Sequence, residues 1–122
     1  MANYLPVRIP GKALPIPASA AITAGQLVAV SGSNTVGPAG AASVAWLGVA
    51  AFDVASGELV TVHCGGTQEL TASGAITAGA AVAAAANGAV ATLGADPAAG
   101  TVVGVALTTA ANGTKVRVQM AR

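Results

Sequence analysis

The feature that most constrains the fold of this chain is a series of short motifs that occurs twice. The copies are 56 residues apart, and both place six residues between a Gly-Val-Ala step and a turn glycine. The first copy runs Leu47-Gly48-Val49-Ala50, Ser56-Gly57, Glu58-Leu59-Val60-Thr61-Val62, and the second runs Val103-Gly104-Val105-Ala106, Asn112-Gly113, Thr114-Lys115-Val116-Arg117-Val118. Because the spacing is kept together with the composition, the series indicates a structural repeat.

An earlier pair of motifs extends the repeat towards the N-terminus. Ala21-Ile22-Thr23-Ala24-Gly25 and Ala75-Ile76-Thr77-Ala78-Gly79 lie 54 residues apart, and each is followed, after two residues, by Val-Ala. The two offsets differ by two residues, which one loop can absorb. We therefore predict a single β domain over residues 19–122 with two similar halves, about residues 20–65 and 75–120.

The segments between the turn motifs have the pattern of short strands. Val60 and Val62 point to the face opposite Leu59, Thr61 and His63, and Val116 and Val118 point opposite to Lys115, Arg117 and Gln119, which is typical of strands with one buried face. The alanine-rich residues 80–86 favour a helix by intrinsic propensity, but their counterpart at residues 26–30 alternates, and this favours a strand. The predicted fold class is all-β: a small β-sandwich or barrel built from two repeated halves.

Residues 1–18 differ from the rest of the chain because Pro6, Pro10, Pro15 and Pro17 alternate with large apolar side chains. Proline fixes φ and lacks a backbone donor, so this segment is predicted to be an extended N-terminal arm or an edge strand. An apolar arm packs either on its own domain or on a neighbouring molecule, and the sequence leaves both open.

The composition predicts a thin core and excludes several classes of partner. Hydrophobic residues are 54% of the 122 residues, but 32 residues are alanine, whose burial stabilises far less than that of leucine. Stability is therefore expected to depend on assembly. Charged residues are only 7% and the net charge is +1, so no nucleic-acid footprint is present. The uncharged residues 70–95 are broken by glycines and are read as short strands and turns, not as a membrane span.

No group of residues has the spacing of a catalytic, cofactor or metal site. His63 and Cys64 are adjacent in a predicted strand, so they point to opposite faces and cannot form a thiol-base pair. They are also too few for a metal site, and Gly11-Lys12-Ala13 lacks the P-loop pattern. Asp53 and Glu58 are the only carboxylates that a connection brings near one another. We predict no enzymatic activity, and the single cysteine excludes an intrachain disulfide and favours assembly inside a cell.

Two aromatic residues occur in one copy of the repeat only. Trp46 and Phe52 flank the first Gly-Val-Ala strand, whereas their counterparts Val102 and Thr108 are smaller. An aromatic residue in one copy marks either a subunit interface or ordinary core packing. The interface interpretation makes Trp46 and Phe52 candidate contact residues.

The order and spacing of these motifs resemble a family of phage capsid cement or head decoration proteins. The resemblance covers the chain from about residue 20 to its end and implies a structural virion protein that binds the outside of the shell, between subunits of the major capsid protein, and reinforces it. It implies assembly in the host cytoplasm, self-association as a homotrimer or a dimer, and neither nucleic acid nor membrane as a partner. The capsid contact is expected on the arm, at Tyr4, Leu5, Val7, Arg8, Ile9 and Lys12.

A second function class is compatible with the same residues. A β-module on the virion surface can serve adhesion to host cells or glycans, for which exposed aromatic residues and polar loops are needed. Tyr4 and Trp46 are the aromatic candidates for such a surface.

Overall fold

The computed structural model describes residues 13–94 and 101–122, which form two antiparallel five-stranded sheets in a sandwich. The only helical element within those ranges is a single 3-10 turn at Ala86–Gly88. The strands are β1 Ala13–Pro17, β2 Leu27–Gly32, β3 Thr35–Pro38, β4 Trp46–Ala50, β5 Leu59–His63, β6 Thr67–Thr71, β7 Ala81–Ala84, β8 Val90–Thr92, β9 Val102–Ala106 and β10 Lys115–Met120. The all-β prediction is confirmed.

The second sheet repeats the first strand for strand. The strand order is β1-β5-β4-β2-β3 in one sheet and β6-β10-β9-β7-β8 in the other. We call residues 13–66 the first half and residues 67–122 the second half. Strands β1 and β6 are counterparts as well, so the repeat in the structure begins before the first repeated motif of the sequence.

The two-residue difference between the sequence offsets lies in one loop. Counterpart residues are 54 positions apart as far as β8 and 56 positions apart from β9 onwards. Seven residues separate β3 from β4, and nine residues, of which 95–100 lie outside the described ranges, separate β8 from β9.

The end of the proline-rich segment is an edge strand of the first sheet. β1 pairs with β5 from Ala13 opposite His63 to Pro17 opposite Leu59. An edge position tolerates proline because only one side of the strand takes part in the ladder. Residues 13–17 therefore pack on their own chain, while the earlier part of the predicted arm lies outside the described residues.

Each sheet curls around its own apolar interior. In the first half, Ala18 forms a parallel bridge with Val36 and Ile22 forms an antiparallel bridge with Val54, and the same two bridges recur in the second half. The first interior consists of Ile16, Ala18, Ile22, Val28, Val36, Ala50, Val54, Val60 and Val62. Its counterparts, all buried, are Leu70, Ala72, Ile76, Val82, Val90, Ala106, Ala110, Val116 and Val118. The alternation predicted for β5 and β10 is confirmed.

The glycine of each Gly-Val-Ala step is required by a close approach between strands. A Cβ at Gly48 would collide with the carbonyl oxygen of His63 on β5, and a Cβ at Gly104 would collide with the carbonyl oxygen of Gln119 on β10. Next to each glycine, the pairing of its strand with the strand on the other side, β4 with β2 and β9 with β7, shifts by one residue, as in a β-bulge. The repeated glycine is therefore a packing requirement of the fold.

The two halves are joined head to tail. The side of β2 and β4 that faces away from the first interior supplies Leu27, Ala29, Trp46 and Val49 to the second interior. These side chains pack where the second interior would otherwise be open, beside Ala84, Val103 and Met120. A backbone hydrogen bond of 2.9 Å from Ala42 N to Ala84 O lies in the same contact. One face of the first half thus closes one end of the second half.

The alanine-rich segment adopts the predicted strand. Residues 81–84 form β7, and the 3-10 turn follows at Ala86–Gly88, where Asn87 and Gly88 have positive φ. The uncharged residues 70–94 are thus strands and turns, and no helix in the described part of the chain is long and apolar enough to cross a membrane.

Candidate functional site

His63 and Cys64 lie at the end of β5 and do not form a reactive pair. The His63 side chain is exposed, whereas Cys64 is half-buried and packs against the interior of the first half. Partial burial raises the pKa of the Cys64 thiol above its ordinary value, because desolvation disfavours the thiolate. The reactive form of the cysteine is therefore disfavoured, and the thiol donates a weak hydrogen bond of 3.9 Å to Val62 O.

Asp53 and Glu58 have structural roles in the loops that cover the first interior. Asp53 Oδ1 accepts a hydrogen bond of 2.7 Å from Ala24 N, and Glu58 Oε1 accepts one of 2.7 Å from Ala55 N. In the second half, Thr109 occupies the position of Asp53, and its hydroxyl accepts a bond of 3.1 Å from Ala78 N. A hydroxyl in the same role indicates that an uncharged acceptor is sufficient at this position.

A cleft between the halves is lined mainly by small and polar residues. Its volume is about 450 Å³, and it is lined by turns of both halves, including residues 23–26, 71–73 and 86–89. Lys115 is the only charged residue among its described lining residues, and the ammonium group donates a hydrogen bond of 3.1 Å to Thr71 Oγ1. Within residues 13–94 and 101–122, no three histidine, cysteine or acidic side chains are grouped as metal ligands.

Trp46 of the first half and Arg122 of the second half are in direct contact. The Trp46 ring is buried at the contact between the halves, and the Arg122 guanidinium lies 4.3 Å from its centroid. Arg122 also donates hydrogen bonds of 2.6 Å to Trp46 O and 3.2 Å to Val44 O. Trp46 thus packs in the core of its own chain. The role of Arg122 has no local sequence signal, because 76 residues separate it from Trp46.

Phe52 is the member of the aromatic pair that presents surface. Its side chain is 46% exposed in the loop after β4, whereas that of its counterpart Thr108 is half-buried and accepts a bond of 3.1 Å from Arg117 N. The subunit-interface prediction for Trp46 and Phe52 remains a prediction, and Phe52 is the residue that can make such a contact without rearrangement.

The predicted capsid-contact residues of the arm, from Tyr4 to Lys12, lie outside the described residues. What the structure gives is their attachment point. All five residues of β1 are paired with β5, so the described chain begins at a fixed position, with Ala13 opposite His63. The arm is therefore attached to the rim of the first sheet.

An exposed apolar area lies on the second half, and the sequence patterns do not reveal it. Val102 and Val105 on β9 are 37% and 44% exposed, although Val105 belongs to the same motif as the buried Val49. The only sequence signal is the change from tryptophan to valine between positions 46 and 102.

A protein of similar fold is known among solved structures. A search of curated proteins gives no match. Among solved structures, the chain is similar to the head fiber gp8.5 N base of bacteriophage phi29, with a TM-score of 0.70 and 23% sequence identity over 89% of this chain and 92% of that chain. At this identity the likeness shows a shared fold.

The family is shown by a separate comparison of the sequence. A family model described as phage cement protein matches residues 9–121, which is nearly the whole chain and includes the end of the arm, β1 and both halves of the repeat. The chain therefore belongs to the phage cement protein family.

Proposed function

We propose that this protein binds the outer surface of an assembled phage capsid as a homotrimer, between subunits of the major capsid protein, at threefold or quasi-threefold positions. The observation that carries the proposal is the family match over residues 9–121, which makes the chain a structural, capsid-stabilising protein of the virion. The exterior location, assembly in the host cytoplasm and the absence of nucleic-acid, membrane and catalytic roles belong to the proposal.

Stabilisation by such a protein follows from mass action. A ligand that binds only the assembled lattice lowers its free energy by RT ln(1 + [L]/Kd) at each site, about 2.7 kcal/mol when the free ligand is 100 times Kd. Since a shell offers many equivalent sites, modest affinity at each site gives a large total resistance to internal pressure. Such a protein needs no catalytic group, and the loop side chains Asp53, Glu58 and Thr109 accept hydrogen bonds from the backbone of the fold.

The arm is the proposed capsid-binding segment. Its residues 1–12 combine apolar side chains with Arg8 and Lys12 and with two prolines, Pro6 and Pro10, that limit its conformations. A segment with fewer conformations loses less entropy when it binds an extended groove or a sheet edge. Because β1 is held by the first sheet, tension on the arm is transmitted to the domain.

The test is removal of residues 1–12 with β1 left intact. We expect the shortened protein to keep its far-UV circular dichroism and its Tm but to lose co-sedimentation with undecorated capsids. Arg117→Ala, an exposed charge change outside the arm, serves as the control and should bind as the unchanged protein does. Equal sedimentation of the shortened protein would contradict the role of the arm, and light scattering of the free protein checks the trimer.

A further inference from the structure

One apolar face is covered in the first half and open in the second. On β2 and β4 it consists of Leu27, Ala29, Trp46 and Val49, which are buried against the second half. Their counterparts on β7 and β9 are Ala81, Ala83, Val102 and Val105, which we name the open face. Ala81 and Ala83 are half-buried, and the two valines are exposed.

The surface on which this face packs is covered in the second half and open in the first half. In the second half, Ala84, Val103 and Met120 are buried where the first half packs on them. Their counterparts in the first half are Val30, Leu47 and Cys64, which we name the open end. Val30 is 49% exposed, and the other two side chains are half-buried.

Among the residues that the structure describes, each molecule therefore uses one face and one end internally and leaves one of each unpaired. We propose that the open face of one copy of this chain binds the open end of a second copy, in the head-to-tail arrangement that joins the two halves within the chain. The occupant is argued from continuity: the complementary surface exists on the same molecule, and the packing has an internal precedent. This contact names the surfaces through which the proposed homotrimer would assemble, so it rests on the self-association in the proposed function and not on attachment to the capsid.

The internal contact contains one aromatic ring and one cation over it, and both are missing from the proposed contact. Val102 stands where Trp46 stands in the first half, and Gly66 stands where Arg122 stands in the second half. The ring and the cation that lies over it are thus absent together. Neither surface leaves a charged group without its partner.

The sizes of the apolar side chains partly compensate. The open face is smaller than its internal counterpart, with Ala81 in place of Leu27. In the open end, Val30 in place of Ala84 and Leu47 in place of Val103 are larger side chains, whereas Cys64 in place of Met120 is smaller. No charged residue belongs to either surface, so the contact is made by apolar packing.

A contact of this kind is heterologous, because two different surfaces meet. Heterologous contacts close into a ring when the rotation between copies allows it and continue as a filament when it does not. Both surfaces of every copy are used in either case, so damage to either one must weaken self-association.

The first experiment places one lysine on each surface. Val105→Lys changes the open face, Val30→Lys changes the open end, and Leu59→Lys is the control at a 61% exposed position whose counterpart is already Lys115. In sedimentation-velocity series over concentration, we expect the unchanged protein and the control to associate. Each surface variant should associate about 100-fold more weakly, since an unpaired ammonium group is costly to bury. Circular dichroism and Tm confirm that all variants are folded.

The second experiment mixes the two surface variants. The Val105→Lys copy keeps an intact open end and the Val30→Lys copy keeps an intact open face, so an equimolar mixture should form a dimer that neither variant forms alone. Recovery of this one contact is specific to a head-to-tail interface.

Several results would overturn the proposal. They are a monomeric unchanged protein at high concentration, a loss of association in Val105→Lys but not in Val30→Lys, or a mixture that stays monomeric. Association that appears only after residues 1–12 are removed would assign the open face to the arm instead. Capsid co-sedimentation of the same variants is measured separately, so failure of the self-contact and failure of capsid binding are distinguished.

Discussion

The contact between Arg122 and Trp46 gives a stability prediction whose size follows from the geometry. Arg122→Ala removes two hydrogen bonds from the guanidinium and its position 4.3 Å from the ring centroid. A charged hydrogen bond contributes about 1.5–3 kcal/mol at best, and a partly exposed cation-π contact about 0.5–1 kcal/mol. Since the longer bond is exposed, we expect a loss of about 2–3 kcal/mol, or roughly 10 °C in Tm for a chain of this size.

The assay has a built-in probe, because Trp46 is the only tryptophan in the chain. Urea unfolding followed by its fluorescence should show the lower midpoint, and the folded variant should emit at longer wavelength, since one face of the ring is uncovered. Arg122→Lys should lose about half as much free energy, because an ammonium group cannot keep all three contacts. Arg117→Ala is the control, since the ion pair of Arg117 with Glu69 is exposed and 4.0 Å long. Equal midpoints for Arg122→Ala and Arg117→Ala, with unchanged emission, would refute the reasoning.

Two further substitutions test the parts of the fold that the repeat explains. Gly48→Ala should cost at least about 2 kcal/mol in urea unfolding, because the new Cβ collides with a backbone carbonyl; Gly40→Ala, which meets nothing within 4 Å, should be close to neutral, and equal midpoints would contradict the close-approach argument. Asp53→Ala should cost about 1 kcal/mol by removing the acceptor for Ala24 N, whereas Asp53→Thr should retain most of the stability because Thr109 has that role in the second half. Equal losses for the two Asp53 variants would show that the charge, and not the acceptor, is what stabilises the loop.

The repeated strands could be predicted from the sequence because their signals are local. Alternation at residues 59–63 and 115–119 and the glycine turns are properties of short windows, and the same spacing in two copies confirms them. The equivalence of β1 and β6 was not predicted, because Ala13–Pro17 and Thr67–Thr71 share no residues and have in common only their burial pattern, with one buried apolar side chain, Ile16 or Leu70.

The surfaces that join the halves could not be predicted from local patterns. Val49 and Val105 are the same residue in the same motif, yet one is 4% and the other 44% exposed. The difference arises because the first half has a partner on that face, whereas no residue in the ranges 13–94 and 101–122 covers that face of the second half. For the same reason, the distant Arg122 was not linked to Trp46, although the change from tryptophan to valine between the copies did mark the position as unequal.

The close approach at Gly48 has a consequence for how the chain finds its own register. In a sequence with 32 alanines, many alternative pairings of neighbouring strands bury side chains of equal size and differ little in energy. A strand that slips by one or two positions brings Leu47, Val49 or Trp46 to the place where only a hydrogen atom fits beside the carbonyl of His63. The glycine thus fixes the pairing register of β4, and Gly104 fixes that of β9 in the same way, so a slipped pairing in either half is penalised by contacts within that half.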